Sequence, residues 1–311
     1  MATRAEPLAD TLPAALGTRR RLHPRWLLLA PALATVGLFG ILPLSIILTY
    51  SFLEPGAYGG VSWTFSWDAY VQFLFQRDLF DGTLAFNDSY LRIYGRSIGL
   101  AALTTLFCLL IGFPTAYFIA TRPEGRRNLW LFFVTLPFWT NLLIRTYAML
   151  LILRDEGIVN IALMWTGVID RPLNILYTNV AVCLGLSYSY LPFMVLPLYA
   201  SLEKLDFRLV EAAYDLYANR WRVLRRILIP LAKPGIVAGC ILVFIPALGA
   251  YITPALLGGG KHLMIGNLIA AQFGASRNWP FGSAAALLLM VIVLAALLLY
   301  VRGAGGRAAH G

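Results

Sequence analysis

Six apolar stretches dominate this sequence, and several run about 20 residues or more without a charged side chain. As helix, at about 1.5 Å per residue, such a run covers a hydrocarbon core of about 30 Å. A closed barrel is the other structure that satisfies every backbone group in lipid, but alternating strand patterns are absent. An all-α membrane protein is therefore expected. Composition agrees, with 59% hydrophobic and 13% charged residues, against about 25% charged in a soluble domain.

The spans are placed at 26–52, 96–120, 129–153, 179–201, 234–257 and 282–301. This gives an N-terminal tail at 1–25, an outer loop at 53–92, a transmembrane domain at 93–301 and a tail at 302–311. The net charge of +10 is distributed in step with the spans. Arg19, Arg20, Arg21 and Arg25 precede the first; Arg122, Arg126 and Arg127 lie between the second and third. Arg220, Arg222, Arg225 and Arg226 lie between the fourth and fifth. The intervening loops carry acids, among them Glu54, Asp68, Asp155 and Glu156. The positive-inside rule then puts both termini in the cytoplasm and removes the nucleic-acid reading of the charge. Thr18-Arg19-Arg20-Arg21-Leu22 resembles a twin-arginine signal, but the apolar run behind it is too long for one, so a retained first helix is expected. Cys108, Cys183 and Cys240 share no metal or disulfide spacing and read as buried small residues.

The outer connections are not simply polar. Ile158, Ile161, Ala162, Trp165 and Val168 have helical spacing within 155–178, and a second outer helix is expected over Leu263 to Phe273. Pro254 and Gly258-Gly259-Gly260 are expected to break the fifth span. Trp63, Phe65, Trp67 and Tyr70 suit either an interfacial aromatic belt or a partner outside.

The connection at 203–236 carries the most specific signal. Asp206 is placed to cap a helix over about 207–218, with Val210, Ala213, Tyr214 and Tyr217 along one face. Asn219 interrupts it. A second short helix, with Trp221, Leu224 and Leu228 on one side, runs to Pro230, and Pro234 starts the fifth span. On physics alone this basic amphipathic hairpin suits lipid headgroups or a docked partner equally. The run Glu211-Ala212-Ala213, with Ile229-Pro230-Leu231 and Pro234-Gly235-Ile236 at the right distance, resembles the EAA loop of binding-protein-dependent ABC permeases. The resemblance makes this loop the coupling helix of a type I ABC importer permease, with Glu211, Ala212, Ala213, Asp215, Leu216, Tyr217 and Ala218 at its docking positions. Tyr217 departs from the family pattern, which has glycine there.

The resemblance narrows over about 93–300. Leu136-Pro137-Phe138-Trp139-Thr140-Asn141, Leu191-Pro192-Phe193-Met194-Val195, Ile245-Pro246-Ala247-Leu248-Gly249 and Asn278-Trp279-Pro280-Phe281-Gly282 follow the spermidine/putrescine permeases in order. The likeness implies a bacterial inner-membrane importer. Its expected partners are a second, non-identical permease, two ATPase subunits and a periplasmic binding protein, with no nucleic acid. Gly258-Gly259-Gly260-Lys261-His262 lacks the spacing and hydroxyl of a phosphate loop. No cofactor and no enzymatic activity are therefore expected in this chain, and ATP and Mg are expected on the partner ATPase. Permeation of another small solute is the alternative. An ATPase-independent secondary transporter fits less well, because ionisable groups are nearly absent from the spans.

A multivalent cation needs compensating charge or aromatic faces to cross apolar protein. All fifteen acidic residues lie outside the spans. Candidate path residues are Trp139, Asn141, Tyr147, Tyr188, Tyr190, Tyr251 and Thr253, with Arg145 expected as the charge well inside a span. The second permease would then supply the carboxylates.

Overall fold

The computed structural model describes residues 24–77, 84–260 and 262–305. The arginines at 19–21 and Lys261 lie outside the described residues. Two units are distinguished, 1–46 and 47–311. In the first, α1 (Pro24–Val36) runs through a π-helical turn, Gly37–Ile41, into α2 (Leu42–Tyr50). No side chain described from Leu29 to Ile46 is buried within the chain, and the apolar run Leu29–Tyr50 is long enough to cross a bilayer.

The second unit opens with small elements absent from the sequence expectation. Strands β1 (Leu53–Pro55) and β2 (Val61–Phe65) form one antiparallel hairpin, and β3 (Phe75–Arg77) and β4 (Leu84–Phe86) form another. The one-turn helix α3 (Asp68–Val71) lies between them. Strands of three to five residues are too short to show a period-two pattern, and their register rests on turns and cross-strand rings. Phe52 stacks on Phe65 at 5.9 Å and meets the edge of Trp67 at 4.9 Å.

The long helices α4 (Ser89–Ala120), α8 (Asn179–Leu202), α12 (Lys233–Gly249) and α15 (Trp279–Gly305) make the frame. Helix α8 packs against both α4 and α12, and the approach is close because glycines face it. A Cβ on Gly112 would stand 2.9 Å from Met194 Cγ, and one on Gly239 would stand 2.7 Å from Met194 Sδ. Small residues at such crossings let membrane helices gain dispersion contacts where lipid offers no hydrophobic drive. Met194, Val195 and Leu198 are fully buried there. Cys108 and Cys183 are buried, as expected, and Cys240 is half-buried.

Three expectations are corrected. The helix that carries the second span begins at Ser89 rather than 96, which puts Arg92 and Arg96 in its first turns. The third span is not one straight helix. Helix α5 (Glu124–Thr135) tightens into a 3₁₀ turn, Leu136–Trp139, stops, and resumes as α6 (Leu142–Leu153) after a 92° bend. The fifth span stops at Gly249, ahead of Pro254, and Ala250 and Tyr251 separate α12 from α13 (Ile252–Leu257). Pro254 sits inside α13, where the first turn of a helix tolerates it. Pro114, Pro192 and Pro197 likewise lie within continuous helices.

By length and composition the described residues offer four bilayer-crossing helices, or up to six when each bent pair counts as one span. The expected outer helices form as α7 (Ile158–Trp165) and α14 (Ile265–Phe273). Helix α7 turns Ile158, Ile161 and Trp165 outward and buries Asn160. The Asn160 amide donates to the Arg154 and Leu173 carbonyls at 3.0 and 3.1 Å.

Candidate functional site

The loop at 203–236 folds as the expected hairpin on one end of the bundle, with different boundaries. Asp206 Oδ1 accepts the Arg208 N–H at 3.0 Å and starts α9 (Arg208–Asp215), which begins one residue later and ends three residues earlier than expected. Its end is a paired closure. Ala218 N–H donates to the Ala213 carbonyl at 3.0 Å and Tyr217 N–H to the Tyr214 carbonyl at 2.9 Å, the Schellman arrangement. That arrangement requires a left-handed residue, and Tyr217 supplies it with φ 57°. Glycine adopts this conformation without strain and tyrosine does not. The turn thus closes without the glycine that the resemblance led one to expect at this position.

Asn219 Oδ1 accepts the Arg222 N–H at 2.8 Å, starting α10 (Arg220–Val223). A π turn, Leu224–Leu228, leads into α11 (Ile229–Leu231). The helical course continues through Pro230 and breaks at Ala232 with a 71° bend, one step later than expected.

Val210, Val223 and Leu228 form the buried base of the hairpin, with Ala213 and Ala218 half-buried beside them. They rest on Phe113 and Tyr117 of α4 and on Phe207. Of the residues expected to share a face, Val210 is buried and Ala213 half-buried, whereas Tyr214, Tyr217 and Trp221 are exposed, Tyr217 at 94%. Val223 is the buried residue of α10, and Trp221 is exposed. Glu211, Ala212, Asp215, Leu216 and Tyr217 all face outward, leaving a slim strip of mixed acid and apolar character.

The root of the hairpin is held by a group that periodicity does not single out. Glu203, just past α8, accepts the Tyr199 hydroxyl at 2.6 Å and lies 3.6 Å from the Arg127 guanidinium. Arg127 Nε donates to the Arg122 carbonyl at 2.6 Å. The end of α8 is thereby tied to the α4–α5 corner.

The path candidates divide. Trp139, Asn141, Arg145 and Tyr147 flank the break in the third span, and Tyr251 and Thr253 flank the break in the fifth. Helix α6 packs on α13 and on α8. Trp139, Tyr147, Tyr188 and Tyr251 are exposed. Tyr190 is instead half-buried, its hydroxyl donating to the Pro246 carbonyl at 3.3 Å. Thr253 is buried against Gly185. Asn141 is a cap, Oδ1 accepting the Leu143 N–H at 2.8 Å. Arg145 is buried, with Nη2 on the Thr140 carbonyl at 2.9 Å. Asn141, Arg145, Tyr190 and Thr253 are thus engaged by the chain's own groups, and the rings of Trp139, Tyr147, Tyr188 and Tyr251 are exposed on its surface.

Arg96 was not singled out from the sequence. It donates through its guanidinium to the Leu263 carbonyl, while the neighbouring Ser97 hydroxyl accepts the Ile265 N–H at 3.0 Å. Asn267 donates to the Tyr251 carbonyl at 2.7 Å. The 258–267 connection is thus pinned to α4 and to the fifth-span break. Among the described residues no cluster of His, Cys, Asp or Glu could hold a metal ion.

Comparison with known proteins agrees with this geometry. Residues 109–304 match the family described as binding-protein-dependent transport system inner membrane component. The spermidine/putrescine transport system permease protein PotB of Escherichia coli K12 is 43% identical over 85% of this chain and 92% of its own length. PotB of Haemophilus influenzae is 46% identical over 71% of this chain and 77% of its own length. PotC of E. coli is 27% identical over 57% of this chain. A solved chain of a bacterial ABC transporter importing alginate superposes with a TM-score of 0.64 at 20% identity, over 90% of this chain and 96% of that one. The hairpin at 203–236 falls wholly within the matched segment, and the chain belongs to the permease family of inner-membrane components of binding-protein-dependent transport systems.

Proposed function

We propose that this chain is one of two non-identical permease subunits of an ATP-driven polyamine importer in a bacterial inner membrane. The likeness to PotB across 85% of the chain carries the substrate class. The weaker likeness to PotC, named for the same transport system, supports a pair of unlike subunits.

The coupling surface is the outward strip Glu211, Ala212, Asp215, Leu216 and Tyr217, with the half-buried Ala213 and Ala218 beneath it. It stands on a base tied to α4 through Phe113 and Tyr117, so a push on the strip reaches the spans. Two ATPase subunits bind ATP and Mg and close on it. A periplasmic binding protein delivers substrate to the opposite face. Trp139, Tyr147, Tyr188 and Tyr251 offer aromatic faces to the cation. The second permease contributes the carboxylates, because the long helices α4, α8, α12 and α15 contain none. Hydration lost by a polyamine is replaced by these faces and charges, in whichever access state the ATPases set.

Radiolabelled spermidine and putrescine uptake, in cells with and without this chain alongside its neighbouring subunits, tests the reading. Deletion is expected to abolish ATP-dependent uptake and the wild-type chain to restore it. Uptake that survives deletion, with no redundant system present, would overturn the polyamine assignment and leave family membership untouched. Glu211→Lys reverses charge on the strip and is expected to abolish uptake while the protein remains in the membrane.

A further inference from the structure

Helix α4 ends at Ala120 and α5 starts at Glu124, so the two diverge from a tight corner and leave a cleft between them. Pro114, Thr115, Phe118, Trp130, Phe133 and Val134 line it, enclosing about 540 Å³. The Phe118 and Trp130 rings meet edge to face at 5.2 Å. At about 1.5 Å per residue, the cleft reaches about 12 Å from Arg122 towards the bilayer interior along α4.

The corner itself is basic and incompletely satisfied. The Arg122 guanidinium lies 4.0 Å over the Phe118 ring centroid, at the mouth of the cleft. Its Nε is buried and has no hydrogen-bond partner among the described residues. Arg127 is committed to Glu203 and to the Arg122 carbonyl. Arg126 is exposed. Neither Arg122 nor Arg126 forms an ion pair among the described residues, although Glu124 stands in the first turn of α5. A guanidinium with an orphaned buried N–H, placed over an apolar trough that opens sideways from two spans, calls for one amphiphilic occupant. It must bring an anion to the corner and hydrocarbon to the trough.

We propose that this corner binds an anionic phospholipid, its headgroup phosphate on Arg122 and Arg126 and one acyl chain in the α4–α5 cleft. Both this cleft and the other apolar one, about 380 Å³ between α4, α12 and α15, are lined by uncharged residues, but only this one has a guanidinium, that of Arg122, lying over one of its lining rings among the described residues. Because Arg127 shares the corner and is tied to Glu203 at the root of the hairpin, the lipid would brace the point where the coupling loop meets the spans.

The test uses the whole transporter complex, purified from its membrane in mild detergent, with bound phospholipid counted by native mass spectrometry. Wild type is expected to retain phosphatidylglycerol or cardiolipin. Arg122→Gln with Arg126→Gln is expected to lower that occupancy about tenfold or more. Thr115→Trp, which fills the trough and leaves both arginines, is expected to lower it as well. Titration with inorganic phosphate separates the sources: displacement of the lipid by millimolar phosphate would show a simple anion site and overturn the proposal. Equal lipid counts in wild type and the double variant would overturn it too. A photo-crosslinker at Phe133 is expected to label phospholipid, and labelling of the second permease instead would assign the cleft to the subunit interface.

Discussion

Arg145 turns its guanidinium back across the break in the third span, Nη2 reaching the Thr140 carbonyl at 2.9 Å and Nε the Thr140 hydroxyl at 3.4 Å. The 3₁₀ turn leaves carbonyls that no following helical N–H reaches, and in a bilayer core such groups cost several kcal/mol each. Arg145 satisfies one of them from within the next helix. The charge expected well inside a span is thus the pin of a kink. Arg145→Ala should lower the stability of the assembled permease by about 2 kcal/mol, read as a fall in thermal midpoint with reduced uptake. Arg145→Lys restores the charge without the fork and should recover only part of it. An unchanged midpoint in both variants would remove the pinning role.

Tyr217 holds a left-handed backbone at the end of α9 with its ring almost wholly exposed. Tyr217→Gly should stabilise the hairpin by about 1 kcal/mol, by removing the left-handed strain. Amide exchange at Ala218, whose N–H closes the turn on Ala213, should slow accordingly. Tyr217→Val adds β-branching at the same φ and should speed it. The same exchange rate in all three would place the strain elsewhere.

Glu203 joins Tyr199 to Arg127 at the hairpin root. Its carboxylate is partly exposed, so Glu203→Gln should cost only about 1 kcal/mol of stability. Its effect on coupling should be larger. ATP hydrolysis per molecule of substrate carried is expected to rise several-fold in Glu203→Gln, with total ATPase activity retained. A coupling ratio equal to wild type would reduce the cluster to a structural tie.

Gly239 faces the Met194 sulfur at a distance no Cβ tolerates. Gly239→Ala should destabilise the α8–α12 crossing by about 1–3 kcal/mol through overpacking. Met194→Ala in the same chain should return part of that loss. No rescue would mean that the backbone of α8, rather than the Met194 side chain, sets the limit.

The sequence by itself determined that this chain is helical and membrane-embedded, because long charge-free runs leave no other way to satisfy the backbone in lipid. It also determined where the hairpin at 203–236 lies, since Asp206, Asn219 and the prolines act locally and the capping hydrogen bonds span only two or three residues. The amphipathic outer helices were legible for the same reason. Tertiary structure alone decided where the third and fifth spans break. Proline marks a weakness but not its position. The break at Thr140 is held by Arg145, and that at Tyr251 by Asn267, sixteen residues away. It alone decided that Val210, Val223 and Leu228 are the buried base while Tyr214, Tyr217 and Trp221 stay exposed, because that depends on where Phe113 and Tyr117 of α4 meet the hairpin. It also brought Glu203 to Arg127 and Arg96 to Leu263, pairings between residues far apart in sequence, which no local pattern encodes.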